Sequence, residues 1–400
     1  MKIIKKALLF TLLLVVVIAL FNFNTIKRLY NVIHLFDEEV IVENFRNMDE
    51  IFEVSIIPPS ASKIEYPKKL SFQLPNSFTF NNKQLNTEQF LSANQLEGLM
   101  ILRNDTIIYE DYRLGLKPID THIGWSVSKS IVSSLLGIAY DEGLFKIDDP
   151  ITNYLSQFKN TGYDTVLIKD ILQMSSGVQF NEDYGDFNSD INRFARTFAL
   201  GGSLEEFSKS LNRDLKPGTF NHYVSIDTQV LGMLLKKITG KSLTSLYKEK
   251  LWEPLGMQDS CEWIIDETGM EMALGGLNMT LRDFSKIGQL YLHKGFLNNR
   301  QLISEEWIKM SITPDASHLI PGKRTNASHE QGYGFQWWIP VIDQGDFFAA
   351  GIYDQYIYIS PSSKLVIVAL SANHEYKNKK LGGKIEHIAL FKKIAEILKL

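Results

Sequence analysis

A serine and a lysine three residues apart, Ser126 and Lys129, stand at the head of a strongly apolar stretch, residues 124–140, GWSVSKSIVSSLLGIAY. Helical residues three apart share a face, so Lys129 should point where Ser126 points, toward the protein rather than water. Burial disfavours a charged ammonium and can lower a lysine pKa by up to about 3 to 5 units. A neutral amine beside a hydroxyl is a base beside a nucleophile. The spacing alone is cheap, since Ser60 with Lys63, Ser156 with Lys159 and Ser245 with Lys248 share it. The Ser126 copy differs in its setting, after a predicted hairpin (98–103 and 106–113) and before Ile131, Leu135, Ile138 and Ala139 on a helical period. The competing reading is a capping serine and a lysine whose head snorkels to water.

Two further stretches bear on chemistry. In 216–225, KPGTFNHYVS, a Pro-Gly turn before an aromatic run would aim Tyr223 into a cleft, although a lone tyrosine is more often part of a core. In 348–355, FAAGIYDQ, small residues near a strand end let a substrate lie against the backbone. The alternative there is an ordinary strand end.

The elements that must position these groups follow along the chain. Residues 1–24 read as a membrane anchor or signal segment, with Lys2, Lys5 and Lys6 before the apolar run 7–21. No small-x-small cleavage site follows, so an uncleaved anchor is expected, with the amino end inside and the body outside the cytoplasm. A cleaved signal peptide, giving a secreted protein, is the alternative. Residues 25–85 carry mixed charge and Pro58-Pro59-Ser60-Ala61-Ser62, a stalk or wrapped arm. Residues 86–400 form the catalytic domain, in which 148–270 is mostly helical in period. Strands are predicted near 333–339, 347–350, 355–360 and 365–370, and a helix from about 384 closes the chain. Strand-helix material at both ends of a helical middle predicts an α+β fold: an antiparallel sheet flanked by helices and completed by the carboxyl end, with an all-helical insertion.

Composition narrows the partners. Four hundred residues at 44% hydrophobic can bury a large core, and a net charge of −4 gives no basic field for nucleic acid. The single cysteine, Cys261, excludes an internal disulfide, and the eight histidines form no HxxxH or HExxH pair, so no metal is expected. Small molecules or peptides fit this balance better.

Taken together, these elements resemble the serine beta-lactamase and penicillin-binding-protein superfamily, whose signatures include Ser-x-x-Lys. The resemblance is strongest to the class C-like serine hydrolases, especially 6-aminohexanoate-oligomer hydrolases and related esterases. WSVSKS, MSSGVQFNEDYGD, DTQVLG, LWEPLGM, ALGGLNMTLRDFSKIGQLYL and GYGFQWW occur in the expected order between about residues 98 and 371. The resemblance implies a beta-lactamase/transpeptidase-like fold and an acyl-enzyme at Ser126. It also implies that Lys129 and Tyr223 share the proton work, that Ser225 completes a Tyr-x-Ser motif, and that the backbone amides of Ser126 and Ile352 form an oxyanion hole. No cofactor is needed. Ala350 and Gly351 would border the substrate, and Tyr184 and Asp186 of EDYGD could line the acyl or amine pocket.

Many relatives place lysine or histidine where Ala349 stands, a cation that helps to hold a substrate carboxylate. Its absence favours small carboxyl esters or amides over penicillins and peptide carboxyl ends. Gly275 and Gly276 are read as packing glycines, and Trp337-Trp338 and Phe347-Phe348 as core. The expected function is a serine esterase or amidase; the alternatives are a catalytically silent binding or sensor domain, and a cell-wall peptidase or beta-lactamase.

Overall fold

The computed structural model describes residues 2–341, 345–377 and 382–399. Its centre is a seven-stranded antiparallel sheet of β1 (Leu96–Arg103), β2 (Thr106–Tyr112), β3 (Gly332–Tyr333), β4 (Trp338–Ile339), β5 (Phe347–Gly351), β6 (Gln355–Ser360) and β7 (Leu365–Ser371). The spatial order is β3-β4-β5-β6-β7-β1-β2. β1 and β2 form a hairpin because Asn104 and Asp105 both tolerate a left-handed backbone, the geometry a two-residue turn demands. β1, β6 and β7 are almost wholly buried, because helices cover both faces of the sheet, and β7 reads as a nearly continuous apolar run, LVIVALS. β7 docks on β1 from Leu365 opposite Arg103 to Ser371 opposite Leu96. The end of the chain thus completes a sheet begun near its start, as the α+β reading requires.

The helices that matter to the site are α1 (Lys2–Phe21), α2 (Phe23–Ile33), α3 (Val127–Asp141), α4 (Asp190–Ala199), α5 (Ser225–Thr239), α6 (Leu281–Leu292) and α7 (Gly382–Leu398). α3 is buried from Val127 through Ala139. It can pack this closely because Gly137 leaves room for Trp307, whose ring would lie 2.4 Å from any Cβ added there. α6 approaches the sheet through Gly288, against Val366 and Ile357. α7 covers the opposite face, with Phe391 edge-on to Tyr356.

A second, four-stranded sheet joins Val54–Ile57, Cys261–Ile264, Leu277–Met279 and His122–Ile123 in that order. It ties residues 25–85 to the body and fixes the segment just before Ser126. Arg46 and His122 both reach the buried Glu97, at 2.7 and 3.1 Å.

Two segments differ in detail from their sequence patterns. Between 148 and 270 the elements are helical as far as Leu255, but Cys261–Ile264 is a strand; four residues are too few for periodicity to decide. The stretch 333–339 is two short strands parted by a turn in which Gln336 has a φ of 63°. Its side-chain Nε2 donates to the Leu172 carbonyl at 2.8 Å, and its side-chain Oε1 accepts from the Thr228 hydroxyl at 2.6 Å. Those tertiary partners hold a backbone conformation that alternation would not predict. Among the described residues no helix is long and apolar enough to cross a membrane. Ile4, Leu8, Phe10, Leu12 and Leu13 on α1 are exposed.

Candidate active site

Ser126 sits on an elbow. The strand His122–Ile123 ends at Gly124, Trp125 takes a φ of 44°, and Ser126 opens α3. A non-glycine residue held in the left-handed region costs about 1 to 3 kcal/mol, offset here by the packed surroundings of Trp125. The turn leaves the Ser126 hydroxyl facing open space rather than capping its own helix.

Lys129, one turn on, is only 1% exposed. Its Nζ donates to Ser126 Oγ at 2.8 Å and to the Leu274 carbonyl at 2.5 Å. Burial lowers its pKa to about 7, against the opposing pull of Glu182 and Asp227. Tyr223 shares a hydrogen bond with Ser126, and its ring lies 5.3 Å from Lys129 Nζ. Burial, then the charge of Glu182, push its phenol well above the ordinary tyrosine range. Stacking on Trp338 at 5.2 Å holds the ring. The Asn221 side chain pins the preceding turn to the Gln173 and Met174 carbonyls.

Glu182 is the residue that sequence reasoning missed. It accepts from the Ser225 backbone N–H at 2.6 Å and from the Tyr184 hydroxyl at 3.0 Å. The EDYGD stretch was visible as a motif, but nothing in the sequence distinguishes its inward carboxylate from the outward ones. Asp227 lies in the first turn of α5 and is fully buried, with its carboxyl raised by burial to about 8 and accepting from Tyr163 at 2.8 Å.

Ser126 and Ile352 border two adjoining cavities. The smaller, about 180 Å³, is lined also by Glu182, Tyr184, Tyr223, Trp338, Ala350 and Gly351. The larger, about 300 Å³, is mostly apolar and is walled by the amino-terminal arm, α4 and the 184–187 loop. Gly351 is required where it stands, since a Cβ there would meet the Gly124 carbonyl oxygen at 2.4 Å. Among the described residues neither the Ser126 nor the Ile352 amide donates to another backbone group. The turn carrying Ile352 is firmly held: Tyr353 stacks on Phe36 at 4.5 Å, and Asp354 accepts from Asn373 at 2.7 Å.

The other expected residues fall in different places. Ser225 and Gly275 line the larger cavity, Ala350 and Gly351 the smaller, and Tyr184 both. Asp186 is exposed, accepts from the Asn188 N–H and lines neither cavity. Ala349 is buried in the main apolar core, and Gly276 packs against Met272 and Ile264. Both tryptophans of the pair are buried in the core, as expected, and Trp338 also borders the smaller cavity. Among the described residues no group of three or more His, Cys, Asp and Glu could hold a metal ion.

Comparison with known proteins bears on the fold and the family. A 6-aminohexanoate-dimer hydrolase of Paenarthrobacter ureafaciens is 29% identical over 71% of this chain and 74% of its own length. The structure of a Bacillus anthracis protein assigned provisionally as a 6-aminohexanoate-dimer hydrolase superposes with a TM-score of 0.81 at 22% identity, over 91% of this chain and 96% of that one. An octameric penicillin-binding protein homologue from Pyrococcus abyssi shares the fold at a TM-score of 0.56 and 19% identity, over 78% and 76% of the two chains. The family described as Beta-lactamase matches residues 100–391, and the chain therefore belongs to the beta-lactamase family and is a hydrolase.

Proposed function

We propose that the protein cleaves carboxyl ester or amide bonds through an acyl-enzyme at Ser126, with Lys129 and Tyr223 as the proton-transfer groups. The observation that carries this reading is the buried Lys129 amine, 2.8 Å from Ser126 Oγ and lowered to a pKa of about 7. Neutral Lys129 takes the hydroxyl proton as Oγ attacks the carbonyl carbon. The Ser126 and Ile352 amides receive the developing oxyanion, and one such donor is typically worth about 100- to 1000-fold in rate. Tyr223 passes a proton to the departing oxygen or nitrogen. Water then attacks the acyl-enzyme, its proton returns through the same pair, and the free acid leaves. Lys129 and Tyr223 are best treated as one coupled acid–base unit.

Substrates without a carboxylate fit best. Among the described residues lining the smaller cavity there is no cation and one carboxylate, Glu182. An uncharged p-nitrophenyl ester is expected to exceed nitrocefin or a penicillin in kcat/KM by about 10- to 100-fold, the range of one missing charged hydrogen bond. Measuring both on the same preparation tests this. A preference for the beta-lactam would overturn the esterase-or-amidase reading in favour of a beta-lactamase or cell-wall peptidase.

The same proposal places the body outside the cytoplasm, held by the amino-terminal segment. Its support is Lys2, Lys5 and Lys6 ahead of the apolar run, together with the exposed apolar side chains of α1. Fractionation should recover the chain with membranes, and externally added protease should reach its body. A soluble product shortened by roughly 20 to 30 residues would show a cleaved signal peptide instead.

A further inference from the structure

We propose that the larger cavity is the acyl pocket and that the substrates are esters or amides of neutral, apolar acyl groups; this rests on the acyl-enzyme reading above. Ser126 and Ile352 border both cavities, so the attacked carbonyl sits at their junction. Tyr223, which protonates the leaving atom, is among the residues lining the smaller cavity and not among those lining the larger. The leaving group therefore departs on the Tyr223 side, and the acyl chain extends into the larger space.

The chemistry of that space selects the acyl group. Val32, Leu35, Phe36 and Phe52 from the amino-terminal arm face Ile191 and Phe194 of α4 across it. Of its polar side chains, Asn192 and Arg196 are engaged with the loop beside it, while the buried Ser225 Oγ has no hydrogen-bond partner among the described residues. Asn192 Nδ2 donates to the Asp186 carbonyl at 2.8 Å, and Arg196 donates to the Phe187 carbonyl at 2.6 Å with its guanidinium 3.8 Å above the Phe187 ring. No Asp or Glu is among the described residues lining it. An ammonium at the far end of the acyl chain would lose water without gaining a carboxylate, whereas methylenes gain from leaving water. An ω-amino acyl group, such as the relative's name describes, is therefore a poor fit here.

The test holds the leaving group constant and varies the acyl arm: kcat/KM for p-nitrophenyl acetate, butyrate, hexanoate and 6-aminohexanoate, all below any micelle-forming concentration. The expected result is a rise of about two- to fourfold per methylene, putting hexanoate about 16- to 250-fold above acetate over the four added methylenes, with 6-aminohexanoate at least about tenfold below hexanoate. Ala195→Phe, which adds a ring to the cavity wall, should collapse the hexanoate-to-acetate ratio. If that variant does not fold, the wild-type series still decides. A flat or falling series, or a preference for 6-aminohexanoate, overturns the proposal while acetate turnover through Ser126 leaves the acyl-enzyme reading standing. Absence of both ester cleavage and a fluorophosphonate adduct on folded protein overturns that reading, and the acyl-pocket proposal with it.

Discussion

Ser126→Ala is expected to abolish labelling by a fluorophosphonate and to lower kcat for an ester by about 10⁴- to 10⁶-fold, the range seen when a serine nucleophile is removed from a cooperating group. The change removes chemistry and little structure. Ser126 makes no side-chain cap to α3, and Lys129 keeps its bond to the Leu274 carbonyl when the hydroxyl is gone. The Trp125 elbow and the two cavities remain, so the variant should fold like the wild type and still bind substrate. Intact-mass measurement on both proteins decides the matter. An adduct of equal yield on both would place the nucleophile elsewhere, and no adduct on folded wild type would favour a silent binding domain.

Lys129 carries the second large effect. Lys129→Ala should lower kcat/KM by about 10³- to 10⁴-fold, toward the upper end for loss of a positioned general base. Lys129→Arg should do nearly as much, because a guanidinium stays charged and cannot take the serine proton. The wild-type pH profile gives an independent reading. Burial lowers the Lys129 pKa to about 7, and in the proposed mechanism the neutral amine is the working form. Activity on an uncharged ester should therefore fall tenfold per pH unit below about 7 and level off above about 8. Glu182 opposes this lowering. Glu182→Gln should thus shift the acid limb to lower pH, since the ammonium loses a stabilising charge. A limb near the ordinary lysine value, or one unmoved in the Lys129 variants, would exclude lysine as the base.

Much of the site was legible because it is local. Ser126 and Lys129 share a face through helical geometry alone, and the apolar run after them requires that face to be buried, which is what lowers the lysine. The Asn104-Asp105 hairpin turn was also a local signal. Tyr223 was legible as a residue, and its neighbouring Pro-Gly turn pointed to a cleft. Its partner ring Trp338 was not, because it is buried like Trp337 and only its stacking on Tyr223 marks it as part of the site.

What remained was decided only by contacts between segments far apart in the chain. No local pattern pairs β7 with β1, or brings the arm strand Val54–Ile57 against Cys261–Ile264. Yet those pairings set the Gly351 turn against Gly124 and carry Phe36 onto Tyr353. Glu182 and Asp186 are chemically alike and four residues apart; the fold turns one onto the Ser225 amide and leaves the other in water. The sequence by itself therefore determined the candidate pair and the family: helical spacing ahead of an apolar run singles out Ser126 with Lys129, and the ordered set of motifs between about residues 98 and 371 carries the family. The tertiary structure alone decided which carboxylate borders the site and which walls line the two cavities, because a side chain's environment is set by whatever the rest of the chain packs against it.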